Sequence, residues 1–209
     1  MKNDRKVLIL AGAALIGAAT ACSWRKGHGR VGNKSVPEPA KPVDVERYLG
    51  RWYEFARYEN KFEYGDDSVT AFYALRPDGL LTVVNRGRHR RNGSSSVAKG
   101  RAKIVPGSHA AKLKVSFFGP FFVGDYWVLD RDDDYNWSIV GEPSGRYLWI
   151  LTRDPVPSVH LRESLIHRVA ELGYDTSLLR KTRQTASTST PAHGEASSLP
   201  GAPKPIGEP

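Results

Sequence analysis

The residues able to do chemistry in this chain are few and scattered. Its single cysteine, Cys22, follows the small residues Ala19-Thr20-Ala21. Six histidines (His28, His89, His109, His160, His167 and His193) lie far apart, and only His160 and His167 have a spacing that could share one helical face. Asp130, Asp132, Asp133 and Asp134 form an acidic run with Ca²⁺ chemistry in principle. The run lacks the glycine and distal glutamate of an EF-hand loop, so it reads as a solvated hairpin turn. Gly27-His28-Gly29-Arg30-Val31-Gly32 is formally G-x-G-x-x-G, but no strand precedes it and it opens no helix, so it lacks the setting that cradles phosphate. There is no G-x-S-x-G nucleophile elbow. No catalytic constellation emerges, and the reading is of a protein that is not an enzyme and needs no metal or cofactor.

Cys22 has a different use. Lys2, Arg5 and Lys6 precede an apolar run from Val7 to Ala19. That run is shorter than the roughly 20 residues that cross a bilayer core and suits the central region of a secretory signal. Residues 1–21 are therefore expected to be a signal peptide. The cysteine behind it resembles a bacterial lipobox, with Ala19 where Leu or Val is usual, which implies lipidation of Cys22. The other reading is ordinary cleavage after Ala21, leaving a free thiol. Each buried methylene of an acyl chain contributes about 0.8 kcal/mol, so two or three chains anchor a protein durably. Ser23, not Asp, follows the cysteine; by resemblance to Gram-negative sorting this implies the outer membrane, facing the periplasm. A lone cysteine also means that the exported domain has no internal disulfide and rests on its core.

The net charge of +9 suggests nucleic acid until it is located. About two-thirds of the excess falls in residues 1–42, the signal and a Gly-, Lys-, Arg- and Pro-rich stretch. A basic stretch beside an anchored cysteine suits anionic headgroups. The run Arg86-Gly87-Arg88-His89-Arg90-Arg91 adjoins an Asn92-Gly93 turn, with no recognition helix or aromatic platform near it. No nucleic-acid partner is expected.

The elements that must position any site lie between two weakly patterned ends. Residues 22–42 are expected to be a lipidated cysteine and flexible basic tether, and residues 184–209, rich in Ser, Thr, Pro, Ala and Gly, a disordered tail. Between them, residues 43–183 alternate in the manner of strands. Leu113, Val115 and Phe117 oppose Lys112 and Lys114, and Ala98, Gly100, Ala102 and Ile104 oppose Lys99, Arg101 and Lys103. Further strands are predicted at 52–58, 68–75, 80–88, 126–130, 137–141 and 147–152, joined by turns such as Pro77-Asp78-Gly79 and Pro143-Ser144-Gly145. Ser158 then caps a helix with Leu161, Leu165, Val169 and Leu172 on one face and Gly173 as its stop. A short final strand is placed at 174–179. The predicted fold is all-β: an eight-stranded antiparallel up-and-down barrel with one C-terminal helix packed outside. A β-sandwich is the competing fold.

Three segments carry a family resemblance. Gly50-Arg51-Trp52 enters the first strand as G-x-W, Gly124-Asp125-Tyr126 stands where a T-D-Y-like motif is expected with Gly for Thr, and Arg153 ends Tyr147–Thr152. Together, from about Val43 to Leu179, they resemble the lipocalins. Ser116–Phe121 and Tyr147–Arg153 are most similar to the bacterial outer-membrane members of that family. The resemblance implies a structural set of Gly50, Trp52, Asp125 and Arg153, with Trp52 closing the barrel floor and Arg153 across its indole. Such a cation–π contact contributes about 0.5–2 kcal/mol.

With Trp52 and Arg153 inward, strand parity and the family pattern fix the interior. The candidate ligand-binding residues are Ala56, Tyr58, Ala71, Tyr73, Asn85, Phe117, Tyr126, Val128 and Trp149. Small residues at inward positions (Ala98, Gly100, Ala102) argue for a cavity, because a filled core would carry Leu or Ile there. Few polar groups are expected inside, and the wall suits a fatty acid or lysophospholipid. Glu54 shares the face of Trp52 and is awkward for a carboxylate ligand unless it is protonated or paired with a cation. The expected function is storage or transport of such lipids in the cell envelope, with a homodimer left open. The alternatives are a haem or tetrapyrrole binder with His89 as ligand, and a lipid-modifying enzyme on the same barrel.

Overall fold

The computed structural model describes residues 29–184, and the predicted alternation appears there as a closed antiparallel sheet. Its strands are β1 (Gly50–Tyr58), β2 (Asp66–Leu75), β3 (Leu81–His89), β4 (Ser95–Ile104), β5 (Lys112–Ser116), β6 (Gly124–Arg131), β7 (Trp137–Gly141), β8 (Leu148–Thr152) and a short β9 (Leu179–Lys181). Strands β2 to β8 pair in chain order, β8 pairs with β1, and β1 pairs back with β2. That return closes the sheet and removes its free edges. β1 meets β2 only from Gly50 to Tyr53; beyond that β9 takes its place, with Ala56 opposite Lys181 and Tyr58 opposite Leu179. The final strand therefore lies later than the predicted 174–179, and it fills the gap where β1 and β2 diverge. Gln184, expected to begin the tail, belongs to this closure: its amide donates to Glu54 O and Val69 O, both at 2.9 Å.

Two layers of apolar packing result. Inside the barrel, Trp52, Ala71, Tyr73, Leu81, Val83, Ala102, Leu113, Val128 and Leu151 form one buried cluster. Outside it, helix α2 (Val159–Glu171) lays Leu165 and Val169 over Phe55, Ala56, Leu129, Ile139, Leu148 and Ile150. The cap is as expected, with Ser158 Oγ accepting from Leu161 N at 3.2 Å and Gly173 leaving the helix at φ +86°. A four-residue helix, α1 (Val45–Tyr48), was not legible in the sequence. It plugs one end of the barrel, and its N-cap Asp44 accepts from Arg47 N.

Residues 29–42, expected as part of a flexible tether, are docked instead. Gly32 N donates to Gly145 O at 2.9 Å, and Asp175 N donates to Gly32 O at 2.8 Å. The Asn33 amide donates to Leu172 O at 2.9 Å, one of the carbonyls that a helix end leaves unpaired. A Cβ on Gly145 would come within 1.8 Å of Asn33 O, so the segment and the β7–β8 turn are fitted to each other. The expected signal peptide, Cys22 and the rest of the expected tail, from residue 185, lie outside the described residues.

Candidate ligand-binding site

Strand direction sorts the barrel's ends. β1 begins and β8 ends at a closed floor, whereas the loops 59–65, 90–94, 117–123 and 142–147 surround the opposite, open mouth. At the floor, Trp52 is fully buried. Its indole N–H donates to Tyr48 O at 2.9 Å, and the Arg153 guanidinium lies 3.8 Å from its ring centre. Arg153 also donates to Arg51 O at 2.7 Å, Arg47 O at 2.8 Å and Leu49 O at 2.9 Å. The arginine thus combines a cation–π contact with satisfaction of the carbonyls at the end of α1 and the start of β1. Gly50 holds φ +90° where the chain turns from α1 into β1, a conformation that side chains disfavour.

Asp125 is not part of this floor. Gly124-Asp125-Tyr126 begins β6 at the mouth end, and Asp125 pairs there with Lys114 at 2.6 Å. The segment that does reach Arg153 is the acidic turn after β6. Tyr135 O accepts from Arg153 Nε, Asn136 O accepts from Arg153 N, and the Tyr135 hydroxyl accepts from Asp44 N at 2.7 Å. Arg47 and Arg131 flank the Tyr135 ring at 4.6 and 4.4 Å. Of the acidic run, Asp133 in the turn pairs with Lys41 at 3.1 Å, and Asp130, still in β6, pairs with Arg168 at 2.6 Å. Among the described residues no three His, Cys, Asp or Glu side chains are grouped to hold a metal ion.

Above the floor four hydroxyls, three of them from tyrosines, form a chain. Tyr73 donates to Tyr126, and Tyr126 and Tyr48 are 2.9 Å apart, with Ser138 Oγ 3.0 Å from Tyr48. Burial pushes the pKa of all three tyrosines up, so they are neutral hydrogen-bonding groups. On this platform a cavity of about 820 Å³ rises to the mouth. Of the predicted ligand-binding residues, Ala71, Tyr73, Asn85, Phe117, Tyr126 and Trp149 line it. Val128 faces inward but lies below, in the packing around α1. Of the small residues on β4, Ala98 borders the cavity, whereas a Cβ on Gly100 would meet the Phe117 ring at 2.8 Å and Ala102 is in the packed core.

Ala56 and Tyr58 are misplaced by the parity argument. β1 bulges between Glu54 and Ala56: Glu54 faces Leu151, but Ala56 faces Ile150 and Arg57 faces Trp149. One extra residue reverses the facing of all that follow. Ala56 and Tyr58 therefore pack outward beneath α2, where Tyr58 donates to Asp175 O at 2.9 Å. Arg57, unremarked in the sequence, turns inward and is completely buried.

Arg57 answers the problem posed by Glu54. Its guanidinium donates to Glu54 Oε1 at 2.6 Å, Thr182 Oγ1 at 3.3 Å, Glu59 Oε1 at 2.9 Å, Asp66 O at 3.2 Å and Glu63 O. Thr182 Oγ1 also donates to Glu54 Oε1. Burial pushes the Glu54 carboxyl up to about 7, the nearby charge of Glu63 adds to this, and Arg57 opposes it. Glu54 Oε2 remains buried without a partner. Nearer the mouth, Trp149 Nε1 donates to Glu63 Oε2 at 2.9 Å. Tyr147 and Trp149 stack with centres 5.8 Å apart, and Phe62 lies 6.1 Å from Tyr147. His89 does not line the cavity; its Nδ1 is 3.3 Å from Asp66. Phe118 and Phe121, in the loop above β5, are 76% and 68% exposed.

Comparison with known proteins bears on the same segment. Residues 43–184 match the family model described as a lipocalin-like domain. The chain is 41% identical over 153 residues to outer membrane lipoprotein Blc of Vibrio cholerae, covering 71% of this chain and 89% of the relative. It is 41% identical over 160 residues to temperature-induced lipocalin-1 of Arabidopsis thaliana, covering 73% and 85%. Among solved structures, insecticyanin from Manduca sexta superposes with a TM-score of 0.60 at 19% identity, covering 77% of this chain and 91% of that one.

Proposed function

The chain belongs to the lipocalin family, and on that premise we propose that it is an outer-membrane lipoprotein that carries or stores a single-chain lipid, a fatty acid or lysophospholipid. The observation that carries the reading is the cavity of about 820 Å³, sealed below by Trp52 and Arg153 and open above. Its size lies within the roughly 300–1,000 Å³ range of small-molecule sites. Its walls are apolar through Val69, Ala71, Val83, Val115 and Leu151. The relatives named outer membrane lipoprotein support the location, and Cys22 would supply the anchor. The residues inside bind and exclude water; the polar pair Glu54–Arg57 is bound up in holding β1, β9 and the 59–66 loop together. The haem alternative loses its ligand, because His89 is not among the residues that line the cavity and its Nδ1 lies 3.3 Å from Asp66.

The test is to purify residues 23–209 from a lipid-containing host, denature the protein and identify what is released by mass spectrometry, with Trp149→Ala in parallel. Stoichiometric acyl lipid, reduced in the variant, is the expected result. A barrel that is empty and takes up neither fatty acid nor lysophospholipid in titration overturns the reading, and a coloured tetrapyrrole replaces it.

A further inference from the structure

Charge is sorted along the folded part of this chain. Residues 79–124 contain nine Lys and Arg and no Asp or Glu, whereas residues 43–78 and 125–183 together hold thirteen Lys and Arg against eighteen Asp and Glu. The acid-free stretch is β3, β4 and β5 with their connecting turns, and these three strands are neighbours in the sheet. They turn Asn85, Ala98, Ala102 and Leu113 toward the interior. Alternation then puts Arg86, Arg88, Lys99, Arg101 and Lys103 on one outer face, with Lys112 and Lys114 at its border. Among the described residues, only Arg90, Lys112 and Lys114 of the nine cations pair with an acid, with Asp67, Glu38 and Asp125.

Such a face is costly on its own. Lys103 stands directly across from Lys114, and like charges opposite one another weaken a sheet. Outward residues recur about every 7 Å along a strand and about every 5 Å across strands, within the roughly 8 Å over which charges are felt in physiological salt. A merely solvated surface intersperses both signs; this one waits for an anionic plane. The relatives are lipoproteins of the outer membrane, where bilayer phosphates supply that plane. Lys and Arg lay apolar stems along a headgroup layer, and Val97, opposite Arg86 on this face, is 55% exposed. We propose that the outer face of β3–β5 docks on an anionic bilayer surface, so that the barrel lies on its side wall. This goes beyond the carrier reading and does not depend on what the cavity holds.

The experiment sediments residues 23–209, which lack Cys22, with phosphatidylcholine vesicles that do or do not contain about 30 mol% phosphatidylglycerol. Binding is expected only to the anionic vesicles, and it should be lost as salt rises from about 0.05 to about 0.5 M. Each basic residue at such a surface contributes about fivefold in affinity, so Arg88→Ser, Lys99→Ser and Lys103→Ser combined should weaken binding roughly hundredfold. The charge-conserving set Arg88→Lys, Lys99→Arg and Lys103→Arg should stay within about twofold of the parent. Two comparisons locate the contact. Arg25→Ser, Lys26→Ser and Lys34→Ser combined, and separately Phe118→Ser with Phe121→Ser, should each cost less than about fivefold. An equal loss from the amino-terminal set means that net charge alone is read and overturns the assignment to the sheet face. A larger loss from the phenylalanines means mouth-first contact and overturns the side-on orientation. Absence of binding to anionic vesicles overturns the proposal outright, and tighter binding to a DNA duplex than to those vesicles reassigns the face to nucleic acid.

Discussion

The two ends of the barrel solve opposite problems. At the floor, the Arg153 guanidinium and Trp52 indole both have partners among the carbonyls of Arg47, Tyr48, Leu49 and Arg51, and apolar side chains fill the space between. At the mouth, buried acceptors go unpaired, carboxylates outnumber free cations, and aromatic rings stand exposed. Saturated polar groups in a packed setting hold a structure together. Unsaturated ones beside a void store binding potential at some expense in stability. The floor, then, is where substitutions should unfold the protein, and the mouth is where they should change what it binds.

The largest effect is expected from Trp52→Ala. Deleting a fully buried indole costs about 3–5 kcal/mol, and here Tyr48 O and the Arg153 face lose their partner as well. Urea unfolding of this variant should show a large drop in midpoint, and an effect below about 1 kcal/mol would contradict the floor's structural role. Arg57→Ala comes next and blurs the comparison, because Arg57 belongs to the mouth yet is buried. Breaking a buried ion pair costs about 3–5 kcal/mol when the partner stays charged. Glu54 softens this by taking up a proton, so a loss of about 3 kcal/mol at pH 8 should shrink at pH 5.

That titration gives the third prediction. The native pKa of Glu54, about 7, lies above its ordinary value of 4.5. Between those values the native state binds more protons than the unfolded chain, so this group makes stability fall as pH rises from about 4.5 to about 7, with no further loss above that. The slope integrates to at most about 3–4 kcal/mol. Glu54→Gln should flatten the stability profile over that window in urea titrations; a slope unchanged in the variant would assign it to other groups.

Much of this contrast was legible in the sequence, though unevenly. Alternation in Leu113, Val115 and Phe117 reports directly on one face of a sheet, and Trp52 with Arg153 marked the floor. The helix showed through its cap, stripe and stop at Ser158, Leu165, Val169 and Gly173. The bulge at Phe55 was hidden because it exists only in the pairing of β1 with β8, and two positions on the ligand face were lost with it. Arg57 went unseen for the same reason: counted by parity it points away from the cavity. Asp125 drew the second motif because an aspartate–tyrosine pair occurs there, while the turn that reaches Arg153 read only as acidic. Residues 29–42 have a linker's composition, and their docking depends on Gly145 and Leu172, more than a hundred positions away. Glu63 lies in a loop, where nothing local announces that it will meet Trp149.

The smallest expected effect is the one that locates the boundary between the two ends. Tyr73 donates to Tyr126 where the packed floor meets the cavity, and Tyr126 is also bonded to Tyr48. In Tyr73→Phe the ring is kept and Tyr126 retains Tyr48, so stability should fall by no more than about 1 kcal/mol. If the headgroup sits at the mouth, the deep end of the ligand meets these rings as a methyl terminus and has no use for their hydroxyls. Hexadecanol affinity should then stay within about twofold of the parent, since no hydrogen bond to the ligand is removed. A tenfold loss would mean that the head descends to the tyrosines. That would reverse the ligand's orientation and make the platform, not the rim, the polar recognition site.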